Sequence, residues 1–258
     1  MTTPREYYPE ERQQDILRTI AQDGRAAVAE LSRKYGVSEV TIRGDLQILA
    51  EQGLIMRTHG GAVTVPQSAD LSLNLRRQLQ IAEKERIGAA AAAFVSDGDA
   101  VFLDTSSTSL AIVRFLKTRR ELTVLTNSLA IAQASLDMPG VTVVMTGGVL
   151  RRDTVSLIGT EGLSLLGRYN IKTGIFGAHG LTLAEGLTDV SVGEAEVKSA
   201  VVTMCRQVIA VIDATKWGRV GPASFARVQD LQVVITDEQA PAGLVDQVRV
   251  LGTRIMQV

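Results

Sequence analysis

Seven short apolar runs follow one another through the later part of the chain, and they limit its fold more than any other feature. The runs are AVFLD (100–104), LTVLTN (122–127), VTVVMTGG (141–148), TGIFGA (173–178), QVIAVID (207–213), LQVVITD (231–237) and TRIMQV (253–258). Stretches with helical spacing separate them. Continuous apolar strands alternating with helices are typical of a parallel sheet with both faces covered. We therefore predict an α/β domain.

The first 65 residues have a different pattern, that of three short helices followed by a β-hairpin. The first two helical stretches end at Gly24 and Gly36, since glycine favours the C-terminal end of a helix. The third begins after Ser38, whose hydroxyl can cap the first turn. The stretch LIMRTHGGAVTV then alternates around Gly60-Gly61, which is a hairpin signal. This order predicts a winged helix-turn-helix; the alternative is a small helical core with polar residues on its surface.

The third helix has one apolar side and one polar side. Ile42, Leu46 and Leu49 form the predicted buried stripe. In a helix-turn-helix the N-terminal half of this helix enters the major groove, and the hairpin contacts the neighbouring backbone. The candidate DNA-binding residues are Ser38, Glu39, Thr41, Arg43, Gln47, Arg57 and His59.

Net charge gives little support to DNA binding. The chain of 258 residues has a net charge of -1. Residues 1–65 contain slightly more acidic than basic side chains. This balance counts mildly against nucleic acid but does not exclude it, because local placement of charge decides contact.

Composition indicates a globular cytoplasmic protein. No apolar run reaches the roughly 18 residues of a membrane span, and the polar stretch MTTPREYYPEERQQD lacks an apolar signal core. Cys205 is the only cysteine, and the two histidines, His59 and His179, lie far apart. We therefore expect neither a disulfide, nor a metal, nor a cofactor.

Residues 16–63 carry a specific similarity to a known family. The elements GVS, TIR-DL and L-EQGLI-R-HGGA, with their spacing, closely resemble the N-terminal domain of the DeoR family of bacterial transcriptional regulators. The resemblance implies operator binding through residues 38–52, and repression of a sugar-catabolic operon that a phosphorylated sugar relieves. Paired helix-turn-helix units require at least a dimer, so we expect a homodimer or homotetramer on double-stranded operator DNA.

Gly44 departs from the family pattern, which usually has a second arginine there, as in TIRRDL. Glycine inside a helix costs about 1 kcal/mol relative to alanine. It also removes a guanidinium that would bind phosphate or guanine. The departure predicts closer approach of the backbone to DNA, lower affinity or a different operator.

Residues 83–258 resemble the C-terminal domain of the same family, which shares its Rossmann-like fold with ribose-5-phosphate isomerase-like enzymes. The expected organisation is a winged helix-turn-helix over residues 1–65, a linker over 66–82 and an effector-sensing domain over 83–258. In parallel sheets, ligands bind outside the carboxyl ends of the strands. The stretches FLDTSSTSL, VLTNS and TGGVLRRD all fall there.

The Ser/Thr-rich loop after the first of these strands is the predicted phosphate site, because hydroxyls and the free N–H groups of a helix N-terminus bind phosphate. The family usually has glycine in place of Ser106, and the resemblance also brings Lys216 to the effector. The candidate effector-binding residues are Asp104, Ser106, Ser107, Thr108, Ser109, Thr126, Asn127, Gly147, Gly148, Arg151, His179, Asp189 and Lys216.

Several of these residues have structural alternatives. The Ser/Thr loop fits a helix cap without a ligand as well as it fits a phosphate site. Gly147-Gly148 fits an ordinary turn equally well. Asp189 can cap a helix, and a lone histidine such as His179 is as often structural. Glu194 and Lys198, four residues apart on one helix, are expected to pair with each other.

The competing function is a sugar-phosphate isomerase with an added helical domain. Isomerisation through an enediol needs a carboxylate base. The resemblance places that base directly after the strand that here ends in GAHGL, where this chain has alanine and histidine. Asp104, Glu185 and Asp189 remain as candidate bases, so enzyme activity is disfavoured.

Overall fold

The computed structural model describes residues 8–51, 54–64 and 72–258. The chain divides into two compact units, Met1–Leu75 and Arg76–Val258. Within the described ranges, no helix has both the length and the apolar character needed to cross a membrane.

The N-terminal unit contains the three predicted helices. They are α1 (Pro9–Asp23), α2 (Val28–Tyr35) and α3 (Glu39–Glu51). Gly24 and Gly36 end the first two helices in the left-handed conformation that glycine favours. The predicted stripe of α3 is confirmed, since Ile42, Leu46 and Leu49 are all buried. Gln52, at the end of the predicted helix, lies outside the described residues.

The wing is a three-stranded sheet rather than a simple hairpin. Strands β2 (Ile55–Thr58) and β3 (Gly61–Thr64) form the predicted hairpin, and β1 (Arg25–Ala27) pairs with the outer side of β3. The sequence pattern did not show β1, because three residues are too few for a visible alternation. Gly61 is required there: a Cβ at this position would lie 2.0 Å from the carbonyl oxygen of Ala26.

A buried ion pair fixes α1 against α3. The guanidinium of Arg12 donates to both carboxylate oxygens of Asp45, over 2.6 and 3.3 Å. Gln13 donates to the same carboxylate over 2.9 Å. Both members of the pair are buried. The two directed hydrogen bonds between guanidinium and carboxylate therefore orient α3 against α1, in addition to the packing of apolar side chains.

The C-terminal unit is built on the predicted parallel sheet. Its seven strands stand in the order β15-β14-β12-β9-β4-β5-β6, and every pairing between neighbours is parallel. Their bounds are β4 (Ala100–Leu103), β5 (Leu122–Thr126), β6 (Val141–Met145), β9 (Thr173–Phe176), β12 (Gln207–Val211), β14 (Val233–Thr236) and β15 (Arg254–Gln257). All seven predicted strands are confirmed.

Helices cover both faces of this sheet, as the continuous apolar strands require. They are α5 (Ile81–Ala92), α6 (Ser107–Ile112), α7 (Leu129–Ala134), α8 (Leu163–Leu166), α9 (Val192–Met204) and α10 (Ala242–Val250), with short 3-10 turns at Val113–Phe115, Ala214–Lys216 and Val228–Asp230. One core contains Phe102 and Phe176, whose rings stack at 5.5 Å. The other contains Leu103 and Ile175 on the opposite face. The predicted fold class, a winged helix-turn-helix followed by a Rossmann-like α/β domain, is therefore confirmed.

Two small β structures were not predicted. The hairpin of β7 (Val149–Arg151) and β8 (Ser156–Ile158) follows the end of β6. A second sheet is formed by β10 (Gly180–Thr182), β11 (Gly186–Asp189) and β13 (Ala223–Ala226). Both come from stretches with mixed polarity, so their strands lacked the continuous apolar signal of the main sheet.

The predicted linker contains helical structure. Residues 65–71 lie outside the described residues. Helix α4 (Leu73–Gln78) follows, and the division between the two units falls inside it, after Leu75.

We expect Arg12→Met to destabilise the N-terminal unit by about 3 kcal/mol, because it leaves the buried carboxylate of Asp45 without its cation. Arg12→Met combined with Asp45→Leu should recover most of that loss. Hydrogen exchange of α1 and α3 amides in the full-length chain measures the effect. Fluorescence of Trp217, the only tryptophan and part of the other unit, serves as the control. A double variant as unstable as the single one would contradict this account.

Candidate functional site

The recognition helix begins at Ser38, as predicted. The Ser38 hydroxyl accepts the backbone N–H of Thr41 over 3.1 Å and lies 2.8 Å from the Thr41 hydroxyl. This hydrogen bond caps α3. The Ser38 hydroxyl therefore already has a structural role, whereas its backbone and the Thr41 side chain remain exposed at the start of the helix.

Two arginines among the predicted DNA-binding residues donate hydrogen bonds to neighbouring side chains. Arg43 donates to Glu39 over 2.8 Å, between half-exposed side chains. Arg57 on β2 donates to the side-chain oxygen of Gln47 on α3. His59 is exposed in the hairpin turn. All seven predicted DNA-binding residues thus lie on the exposed surface of this unit, and the Gln47–Arg57 bond joins the helix to the wing.

Two apolar features on this side of α3 complete the surface. Val40 is 75% exposed, and an exposed apolar side chain on a recognition helix can contact a thymine methyl group. Val40 is not among the seven predicted DNA-binding residues. Gly44 is also exposed, and a Cβ built there has no described atom within 4 Å. Steric crowding within the protein therefore does not explain this glycine.

In the C-terminal unit, Asp104 organises the loop that follows β4. Its fully buried carboxylate accepts hydrogen bonds from the Ser106 hydroxyl (2.7 Å), the Ser109 hydroxyl (2.5 Å) and the backbone N–H groups of Ser106 (3.1 Å) and Gly177 (3.0 Å). The Ser106 hydroxyl also caps α6 by accepting from the N–H of Ser109. These hydrogen bonds fix the conformation of the loop from its buried side, through Asp104, Ser106 and Ser109.

Lys198 supplies the counter-charge to this carboxylate. Its ammonium lies 2.8 Å from Asp104 and 2.7 Å from Asp189, and it donates to the Gly177 carbonyl over 3.0 Å. Burial raises the pKa of Asp189, but the charge and hydrogen bond of Lys198, the backbone N–H of Ser191 and the charge of Arg76 together outweigh it, so the net shift is downward. Lys198 thus joins α9 to the ends of β4, β9 and β11.

Glu194 is the centre of a second buried cluster. Its carboxylate accepts from the hydroxyls of Thr105 and Ser156, each over 2.7 Å, and lies 3.4 Å from Arg151. The expected pair between Glu194 and Lys198 was wrong, because each side chain reaches a different group of partners. Sequence reasoning missed Thr105 and Ser156, whose separation from Glu194 in the chain conceals the contact.

Three polar groups near these clusters have no hydrogen-bond partner among the residues that the structure describes. The hydroxyls of Ser107 and Thr108, both nearly buried, form no hydrogen bond within the described residues. The side-chain carbonyl oxygen of Asn127 is buried and also has no partner there, although its amide donates to Leu157 over 3.0 Å. Such groups are candidates for contact with a ligand, because unpaired buried polar atoms are rare.

The other predicted residues at this edge have protein partners or backbone roles. The Thr126 hydroxyl donates to the Leu103 carbonyl over 2.7 Å. Gly147 and Gly148 both have positive φ, and a Cβ at Gly148 would lie 2.2 Å from the Ile158 carbonyl oxygen, so the turn itself requires glycine there. His179 donates its backbone N–H to Thr188 over 2.8 Å.

A group of cations lies near Asp213, at the end of β12. Lys84 on α5 is buried, and its ammonium donates to the carbonyls of Arg76 and Leu79, each over 2.5 Å. Burial lowers the pKa of Lys84 to about 8; Asp213 opposes this shift, and the charges of Lys216 and Arg76 add to it.

The two other cations in this group are also incompletely compensated. Burial lowers the pKa of Lys216 as well, against the effect of Asp213. The Nε and Nη2 atoms of Arg76 are buried without a partner in the described chain. Only Lys216 was predicted; Lys84 and Arg76 were missed because both precede the strands on which the prediction rested.

The candidate bases for an isomerase are already engaged. Asp104 and Asp189 share the ammonium of Lys198. Glu185 lies on the exposed turn between β10 and β11 and accepts from the Thr182 hydroxyl. None of these three carboxylates is both unpaired and directed into the site.

Together, the winged helix and the polar edge of the α/β unit define a class of protein: a DNA-binding transcription regulator with a ligand-sensing domain. Residues 12–68 match the model of the DeoR-like helix-turn-helix domain, and residues 79–238 match that of the DeoR C-terminal sensor domain. The chain belongs to the DeoR family.

Individual relatives agree with this assignment. The chain is 35% identical to the HTH-type transcriptional regulator GolR of Listeria innocua, covering 90% of this chain and 92% of the relative. It is 30% identical to the glycerol-3-phosphate regulon repressor of Escherichia coli K12, covering 91% and 93%. These relatives are named as regulators and not as enzymes.

Solved structures include a weaker similarity. Ribose 5-phosphate isomerase A from Methanocaldococcus jannaschii aligns with a TM-score of 0.40 and 16% identity, covering 52% of this chain and 53% of that one.

We expect Gly44→Arg to raise operator affinity and to steepen its salt dependence by about one unit of slope for one new phosphate contact. Gly44→Ala is the matched control, since it gives a similar helix stabilisation of about 1 kcal/mol without a charge. Fluorescence anisotropy on an operator duplex over a salt series measures both quantities. Equal slopes for the arginine and alanine variants would show that position 44 does not approach a phosphate.

Proposed function

We propose that the protein is a repressor of a carbohydrate catabolic operon and that a phosphorylated sugar, bound in the C-terminal unit, changes its affinity for the operator. It acts in the cytoplasm as a homodimer or homotetramer, because a two-fold operator is bound by paired recognition helices. The name of the glycerol-3-phosphate regulon repressor supports a phosphorylated ligand.

The observation that carries this proposal is the combination of unpaired hydroxyls and incompletely compensated cations. The hydroxyls of Ser107 and Thr108 have no partner in the described part of the chain. Lys84, whose ammonium binds carbonyls rather than a carboxylate, and Lys216 add positive charge at the same edge of the sheet. A phosphate dianion supplies the missing negative charge and accepts these hydrogen bonds.

The sugar portion has a separate set of candidate contacts. Asn127 has an unpaired carbonyl oxygen that can accept a sugar hydroxyl. Arg151, which also lies 3.4 Å from Glu194, and His179 are both partly exposed and are further candidates. In this proposal Asp104, Ser106, Ser109, Thr126, Gly147, Gly148 and Asp189 shape the site rather than supply its main ligand contacts.

Binding changes DNA affinity only if the ligand prefers one of two conformations of the regulator. Binding of a sugar phosphate and a change of operator affinity on binding are therefore two separate properties. A thermal shift measures the first, and operator affinity with and without ligand measures the second.

We expect one phosphorylated sugar to raise the melting temperature of the C-terminal unit, while its unphosphorylated form does not. At 100 times its dissociation constant, a ligand stabilises the folded state by roughly 2.7 kcal/mol. A thermal-shift panel of sugar and polyol phosphates with their free forms measures this, and operator anisotropy with the responding compound measures the second property. Equal shifts for phosphorylated and free sugars, or no shift in the whole panel, would refute phosphate recognition.

We also expect ligand affinity to fall as the pH rises above about 8. The pKa of Lys84 is lowered to about 8 in the free protein, so its ammonium is present below that pH and lost above it. A phosphate ligand raises this pKa and therefore binds the protonated form more tightly. The ligand itself is a dianion above pH about 6, so its own titration adds little.

Isothermal titration calorimetry between pH 7 and 9 checks this dependence. Lys84→Met is the comparison: it should bind more weakly at pH 7 and show a shallower pH dependence. A wild-type affinity that is constant over this range would show that Lys84 does not contact the phosphate.

A further inference from the structure

Arg76 stands where the two units of the chain join. It belongs to α4, the helix in which the division between the units falls, and it is the first residue of the C-terminal unit. Arg77, the next residue, is exposed. The two arginines therefore have different surroundings although they are adjacent on one helix.

The guanidinium of Arg76 is buried in part and incompletely satisfied. Its Nε and Nη2 atoms are inaccessible to solvent and have no hydrogen-bond partner in the described part of the chain. Leaving charged donors buried and unpaired is costly. A planar guanidinium with free N–H groups is well suited to bind a phosphate through two parallel hydrogen bonds.

The surroundings of Arg76 increase the need for an anion. Its charge acts on Lys84, Lys216 and Asp189, which places it electrostatically among the residues of the candidate effector site. Asp213 is the negative group with the largest influence on both lysines. One oxygen of its carboxylate, Oδ1, accepts from both the backbone N–H and the hydroxyl of Thr215.

Lys84 connects this charge to the end of α4. Its ammonium donates to the carbonyl of Arg76 and to that of Leu79, immediately after the helix. An ammonium has three N–H groups, so one remains for a ligand. Lys84 therefore binds the same short segment that carries the unpaired guanidinium.

We propose that the guanidinium of Arg76 binds the phosphate of the effector, so that ligand binding fixes the last turn of α4, the helix through which the chain enters the C-terminal unit. This inference rests on the proposed function, since it assumes a phosphorylated effector. It identifies the route by which the bound effector acts on the DNA-binding unit. An order change at the end of α4 reaches residues on its N-terminal side through continuous helical backbone.

The test compares Arg76→Gln with Arg77→Gln in the full-length protein. The probe is the phosphorylated sugar with the largest thermal shift in the panel, with inorganic phosphate as a second probe that carries the anion alone. Calorimetry gives the dissociation constants, and anisotropy gives operator affinity with and without saturating probe. Ligand-free melting temperatures and operator affinities establish that each variant is folded.

In R76Q we expect the dissociation constants of both probes to increase by about ten- to a hundredfold, the range for loss of hydrogen bonds to a charged group. We also expect operator affinity to stay at its ligand-free value even at saturating probe. R77Q, which removes the same charge from an exposed position of the same helix, should match the wild type in both measurements.

Two results would overturn the inference while the proposed function stands. One is an R76Q dissociation constant within about twofold of the wild type. The other is a full operator response of R76Q once the weaker site is saturated, which would leave Arg76 as a ligand contact without a role in transmission. If the wild type itself binds no phosphorylated sugar, the proposed function fails, and this inference fails with it.

Discussion

The ammonium of Lys198 is the charge on which the carboxyl edge of the sheet depends. It lies within 2.8 Å of Asp104 and 2.7 Å of Asp189 and also binds the Gly177 carbonyl. Two carboxylates buried this close would repel each other without it. Lys198 offsets this repulsion, and Asp104 accepts hydrogen bonds from the hydroxyls of the Ser/Thr loop. One side chain from α9 therefore sets the shape of a loop that lies far from it in sequence.

Charge is compensated unevenly along this edge, and the contrast separates a sensor from an enzyme. Around Lys198 and Glu194, acids and bases are matched and hydrogen-bonded, so the carboxylates that an enediol mechanism needs are occupied. Near Asp213, burial lowers the pKa of Lys84 and of Lys216, so these two ammonium groups lose protons more readily than usual. Of the three candidate bases, Asp104 and Asp189 are bound by Lys198 and Glu185 accepts from Thr182, so none of the three is an unpaired base within the described residues.

The DNA-binding unit shows a related division between fixed and exchangeable contacts. The buried Arg12–Asp45 fork orients α3 with two directed hydrogen bonds. On the exposed side, Arg43 pairs with Glu39 and Arg57 with Gln47. Exposed pairs contribute little to stability, so they can exchange their partners for phosphates and base edges at small cost. The orientation of α3 is thus stabilised more strongly than the exposed side chains that are predicted to contact DNA.

The sequence by itself determined the elements whose signal is local. Continuous apolar strands predicted the parallel sheet, the period of α3 predicted its buried stripe, and Ser38 predicted the start of that helix, because each depends on residues close together in the chain. Only the tertiary structure decided which charges meet. Lys198 was expected beside Glu194, four residues away, and instead binds Asp104 and Asp189; Arg76 and Lys84 gave no motif at all. Crossover connections between strands bring the partners of these charged side chains near to them. Burial then decides which of the charged groups stay unpaired. Neither property can be seen in a local sequence pattern.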